Sequence, residues 1–125
     1  MSKTLTILVA EDDKFLATAI TDKLSREGFV VVRAANGEEA ISFAEHTVPD
    51  LVLLDVIMPK KTGFEVLAAL KSNEATKSIP VIILSNLGQE SDVEKAKSLG
   101  AVDYLIKSDV QMGEIVARVK AALPL

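Results

Sequence analysis

Apolar residues along this chain come in two alternating textures. Five short runs rich in β-branched residues, Leu5–Ala10, Phe29–Ala34, Leu51–Asp55, Ile79–Leu84 and Val102–Ile106, are continuous rather than alternating. An unbroken run of that length is the pattern of a strand buried on both faces. Between the runs, apolar positions repeat at helical spacing. Leu16, Ile20 and Leu24 recur at i+4, with Gly28 as the residue just past the helix end. A second helix starts near Asn36-Gly37 and turns Ala40, Ile41 and Ala44 inward. The third puts Phe64, Leu67 and Ala68 on one face, and the fourth has Val93, Ala96 and Leu99, closed by Gly100. The last carries Met112, Ile115, Val116 and Val119.

Strand and helix therefore alternate five times. Parallel strands need crossovers, and crossovers are right-handed, so the pattern predicts an α/β domain: a parallel sheet with helices on both faces. No linker, repeat or low-complexity tract interrupts it, and residues 1–125 read as one domain. Ligands gather at the carboxyl ends of the strands in such a sheet. Glu11, Asp12 and Asp13 follow the first run, Asp55 ends the third, Ser85 and Asn86 follow the fourth, and Lys107 follows the fifth. The Ala34-Ala35-Asn36 end offers no evident chemistry.

Composition narrows the function. The chain has no cysteine, which excludes thiolate chemistry, and no apolar stretch near the roughly 20 residues of a membrane span. The start, Met-Ser-Lys-Thr, lacks a signal-peptide pattern, so a cytoplasmic location is expected. A net charge of −4 and 4% aromatic residues argue against direct nucleic-acid binding.

The stretch "DLVLLDVIMP" then needs explaining, because a core-bound run that stops on Asp55 puts a carboxylate where desolvation is expensive. Glu11, Asp12 and Asp55 share one sheet edge, and Lys107 alone cannot balance them. A hard divalent ion is the natural complement, and an all-oxygen site that keeps waters suits Mg2+ (or Mn2+). Asp12 and Asp55 are the expected direct ligands, with the Ile57 backbone carbonyl as a third and Glu11 acting through a bound water. Such a set is equipped for phosphoryl transfer. Asp55 is the nucleophile, Lys107 neutralises phosphoryl oxygens, and Ser85 donates a hydrogen bond to one of them.

"ILVAEDD", "PDLVLLDVIMP", "TGFEVL", "VIILSN" and "GAVDYLIK" resemble, in order, the successive blocks of a response-regulator receiver domain. The resemblance covers nearly the whole chain. It implies a flavodoxin-like, five-stranded sheet of order 2-1-3-4-5. It also implies that Asp55 accepts a phosphoryl group from the phosphohistidine of a histidine kinase or phosphotransfer protein, with magnesium at Glu11, Asp12 and Asp55. Lys107 matches the phosphate-pairing lysine and Ser85 the hydroxyl position. Tyr104 matches the aromatic switch, and the target-binding surface implied is the fourth helix, fifth strand and fifth helix. Two positions depart from the pattern: Asn86 stands where a small residue is usual, and Ser108 where proline is usual. With no proline, the Lys107–Ser108 bond is expected to be trans.

Plainer roles are expected for other polar residues. Asp13 reads as a helix N-cap, His46 as a helix-end cation, Lys60-Lys61 as a solvated turn and Asp50 as structural. A dehalogenase-type hydrolase would want a second aspartate at position 57, where this chain has isoleucine. A dinucleotide site would want Gly-x-Gly-x-x-Gly in place of Glu-Asp-Asp. The competing reading of substance is a receiver-like docking module that works without phosphorylation. Apolar Ile57 and Leu87, two residues past the nucleophile and the hydroxyl, are expected to border the approach of hydrolytic water and slow phosphoryl loss.

Overall fold

The structure is a computed structural model and describes residues 4–123. Strands β1 (Thr6–Ala10), β2 (Val30–Ala34), β3 (Leu51–Leu54), β4 (Val81–Ser85) and β5 (Asp103–Ile106) alternate with five helices. These are α1 (Lys14–Arg26), α2 (Gly37–Thr47), α3 (Gly63–Lys71), α4 (Glu90–Ser98) and α5 (Met112–Ala122). All strand pairs are parallel, in the order β2-β1-β3-β4-β5. Among the described residues, no helix is long and apolar enough to cross a membrane.

Side chains alternate across the sheet with period two, and each parity has its own helices. Leu8, Val52, Leu54, Val81 and Ile83 pack under α2, α3 and α4 through Ala40, Ala44, Val66, Leu67, Leu70 and Ala96. Ile7, Val9, Leu51, Leu53, Ile82 and Leu84 pack under α1 and α5 through Ile20, Leu24, Ile115, Val116 and Val119. The continuous runs are thus the signature of a two-sided core, but for only three strands. β1, β3 and β4 are almost wholly buried, whereas β2 and β5 lie at the edges and are mostly half-exposed. In α3 the buried face is Val66, Leu67 and Leu70, with Phe64 and Ala68 at its margin.

The helix ends follow local chemistry. Asp13 caps α1 by accepting from the Phe15 and Leu16 amides, and Asn36 caps α2 at the Glu39 amide. Thr62 and Glu65 form a reciprocal capping box on α3. Gly28 and Gly100 follow their helices at φ +94° and +108°, conformations that favour glycine. His46 sits in the last turn of α2 with Nδ1 2.7 Å from the Ser42 carbonyl oxygen. Asp50 accepts from the Thr6 amide at 2.7 Å, joining the start of β1 to the loop before β3. There is no cis peptide bond among the described residues, so Lys107–Ser108 is trans as expected.

Gly63 governs how α3 meets the end of β3. Its amide donates to the Val56 carbonyl at 2.8 Å, and a Cβ there would collide with the Asp55 carbonyl oxygen and lie 2.7 Å from Val56 Cα. Gly113, in the first turn of α5, has no atom within 4 Å of an added Cβ. Gly63→Ala should therefore cost about 1–3 kcal/mol by overpacking. Gly113→Ala should add about 0.4–1 kcal/mol by restricting the unfolded chain. Urea denaturation of both variants checks this, and midpoints that move in the same direction contradict it.

Candidate phosphoacceptor site

The sheet ladder runs one residue past the strands at the carboxyl edge. Asp55 donates its amide to Ala10, Glu11 to Ala34 and Lys107 to Ser85, each at 2.9–3.0 Å. Glu11, Asp55 and Lys107 are thereby held by backbone bonds beside one another. Pro59 and the left-handed Lys60 (φ 71°) turn the chain after Asp55, and Lys60 and Lys61 are exposed.

The side chains then meet. Lys107 Nζ lies 2.8 Å from Asp55 Oδ2 and 2.7 Å from Glu11 Oε1. The second oxygen of each carboxylate has a backbone donor: the Val56 amide reaches Asp55 Oδ1 at 2.7 Å, and the Asp13 amide reaches Glu11 Oε2 at 3.0 Å. Glu11 and Asp55 are buried, while Asp12 is exposed. Carboxylate oxygens of Glu11, Asp12 and Asp55 lie within 4.8 Å of one another. Three carboxylates face one ammonium, and all the donors are oxygen. That set fits a hard divalent cation with metal–oxygen distances of about 2.1 Å.

Burial lifts the Glu11 carboxyl above its ordinary value of 4.5, against the hydrogen bonds from Lys107 and the Asp13 amide, and the charge of Asp55 adds to the rise. Burial by itself would lower Lys107, but hydrogen bonds to Asp55 and Glu11, with their negative charges, raise it above 10.5. The ammonium is thus locked in its charged form at neutral pH.

Ser85 is fully buried at the end of β4, and its Oγ accepts from the Leu87 amide at 3.2 Å. Tyr104 donates its hydroxyl to the Leu87 carbonyl at 2.5 Å, so both residues grip the same β4–α4 connection. Burial, with the charge of Asp92, raises the Tyr104 hydroxyl above its ordinary 10.0. Asn86 is exposed. Ile57 is 61% exposed, whereas Leu87 packs partly buried against the core beneath α2–α4.

A family model for the response regulator receiver domain matches residues 7–120. The chain belongs to that family. It is a receiver domain of two-component phosphorelay signalling. It is 42% identical over 117 residues to the transcriptional regulatory protein CpxR of Escherichia coli K12, covering 94% of this chain and 48% of that protein. The chain spans about half the length of the curated relatives it matches. The Francisella response regulator 1452 receiver domain superposes with TM-score 0.88 at 30% identity, over 95% of this chain and 96% of the other. The receiver domain of the sensor histidine kinase PA1611 from Pseudomonas aeruginosa gives TM-score 0.87 at 26% identity, over 96% and 98%. That receiver holds a magnesium ion in its active-site cleft.

Glu11, Asp12, Asp55 and Lys107 stand together at one edge, and Ser85 and Tyr104 meet at Leu87, but two contributors were missed. Gly63 escaped because its role lies in a close approach that sequence does not display. Arg33, beside the end thought to lack chemistry, donates to the Glu11 carbonyl from Nε at 3.1 Å and Nη2 at 3.0 Å, and to the Asp12 carbonyl at 3.1 Å. The available signal was a lone cation in an otherwise apolar edge strand.

The raised Glu11 value has a measurable consequence. Stability from this group is full below about 4.5 and is lost as pH rises through its higher folded value. Glu11→Gln removes that loss. In metal-free buffer, the unfolding free energy of Glu11→Gln relative to wild type should rise with pH across this window. A difference that is flat or falls contradicts the assignment.

Proposed function

We propose that Asp55 is the phosphoacceptor of this receiver, and that Lys107, Asp12, Glu11 and a divalent cation assist the transfer. The observation that carries the reading is the Lys107 ammonium bridging Asp55 Oδ2 and Glu11 Oε1 at the carboxyl edge of the sheet. A histidine kinase or phosphotransfer protein presents a phosphoimidazole. An Asp55 oxygen bonds to phosphorus as the nitrogen–phosphorus bond breaks, and the imidazole nitrogen keeps the electron pair. The ammonium of Lys107, already beside Oδ2, neutralises charge on the transferred oxygens, and the Val56 amide holds Oδ1 in place. The chain carries the phosphoryl group and sheds it slowly; it is not a turnover enzyme.

Magnesium, with manganese as a substitute, fits the oxygen-only cluster and the excess of negative charge. Asp12, Asp55 and the Ile57 carbonyl are the direct ligands, and Glu11, with its longer side chain held by Lys107 and the Asp13 amide, acts through a bound water. When bound, the ion supplies charge neutralisation at the phosphoryl oxygens. The magnesium-bearing PA1611 receiver supports this assignment by analogy.

Ser85 and Tyr104 form the switch: Ser85 turns its hydroxyl to the phosphoryl group, and Tyr104 follows through the Leu87 segment they share. The surface that changes is α4, β5 and α5, where a protein target docks. α4 is lightly seated, with Ala96 its one buried residue, and Lys95 lies 4.6 Å over the Phe64 ring. Phe15, 88% exposed at the start of α1, and exposed Ile57 give the phosphodonor an apolar footing near the acidic loop. The receiver unit spans residues 1–125, works in the cytoplasm, and touches neither nucleic acid nor membrane itself. Docking without phosphorylation is not favoured, since that reading gives the buried Asp55–Lys107–Glu11 arrangement nothing to do.

Incubation with acetyl phosphate and magnesium should add one phosphoryl group by intact mass, and Asp55→Asn should abolish the addition with the fold retained. Labelling of Asp55→Asn at the wild-type rate contradicts the assignment. Ile57→Asn should speed phosphoryl loss, by up to on the order of 10²-fold if it orients the attacking water well. An unchanged lifetime would remove Ile57 as a shield.

A further inference from the structure

We infer that Arg33 is a positioning residue, which sets the carboxylate of Glu11, and with it the acidic loop, for cation binding from outside the site. This rests on the reading of the acidic cluster as a divalent-ion site. Arg33 lies on edge strand β2, in register with Val9 of β1, and is an exposed residue. Its three hydrogen bonds go to two successive backbone carbonyls, Glu11 and Asp12, at 3.0–3.1 Å. In a planar trans peptide the C=O and N–H point opposite ways. Holding the Asp12 carbonyl toward Arg33 therefore turns the Asp13 amide away from it, where that amide donates to Glu11 Oε2 at 3.0 Å. The other oxygen, Oε1, is then presented to Lys107. One peptide plane thus transmits the grip of an external guanidinium to a buried carboxylate.

The longer, forked guanidinium matters: Nη2 reaches both carbonyls while Nε adds a second bond to Glu11, whereas a lysine ammonium ends one bond short of Nη2 and lacks the second planar donor. Charge and position make opposite demands here. Removing a nearby positive charge should, by Coulomb's law alone, tighten binding of a cation. Losing the grip on Glu11 and Asp12 should loosen it, by about 10-fold on the usual scale for groups that orient metal ligands.

Manganese binding to the full chain, followed by electron paramagnetic resonance of the free ion, separates these outcomes. It is measured beside the urea midpoint and hydrogen exchange at the Asp13 amide in metal-free protein. Arg33→Met should bind manganese about 10-fold more weakly and lose Asp13 protection, and Arg33→Lys should fall the same way despite keeping the charge. Folded Arg33→Met with unchanged or tighter affinity overturns the inference, whatever happens to its midpoint. If Arg33→Met does not fold, wild-type affinity in Arg33→Lys overturns it instead. Wild type that binds no manganese overturns the ion-site reading and this inference with it.

Discussion

Two buried carboxylates, Asp55 and Glu11, share one ammonium at the carboxyl edge of the sheet, and much of the surrounding structure serves to make that arrangement tolerable. Taking such charges out of water costs several kcal/mol each unless they are paired and hydrogen-bonded. Here each oxygen of the pair has a partner: Lys107 on the inner side, and the Val56 and Asp13 amides on the outer. Those amides are available only because the chain turns sharply after β1 and β3. The turn after β3 in turn needs Gly63, whose missing side chain lets α3 close on Asp55 and Val56. The ionic pair, the turn and the glycine thus form one dependent set.

The same constraint suits the site to signalling. A cluster with more negative than positive charge suits a divalent cation, and its lysine is tied by its amide to Ser85 at the end of β4. Ser85 and Tyr104 both hold the Leu87 segment, the short backbone stretch through which the proposed switch would act. Beyond it lies α4, the helix with the fewest buried residues, Ala96 alone, and a lightly packed element is one that a local change would move at small cost.

Much of this was legible in the sequence because it is written in periodicities and in residue types at strand ends. Continuous apolar runs marked the strands, and Asp55, Glu11, Asp12 and Lys107 followed from asking what lies just beyond each run. The edge character of β2 and β5 was not legible, since β-branched residues such as Val30 and Val102 serve on exposed edges as well as in cores. The order of the strands came from resemblance, not from spacing. Arg33 and Gly63 stayed hidden for a different reason: one acts on backbone carbonyls and the other by lacking atoms, and neither leaves a motif. Leu87 was expected to border the site, and its side chain is partly buried against the core beneath α2–α4.

That Asp55, of the two carboxylates held by Lys107, is the group that reacts is tested most directly by finding the covalent bond. An acyl phosphate on aspartate is reduced by borohydride to homoserine, whereas a phosphoserine is not. Phosphorylated protein should therefore yield, after reduction, digestion and mass spectrometry, homoserine at position 55 in proportion to the phosphoryl group bound. Homoserine at Asp12 or another aspartate, hydroxynorvaline at Glu11, or phosphate remaining on Ser85 would contradict this.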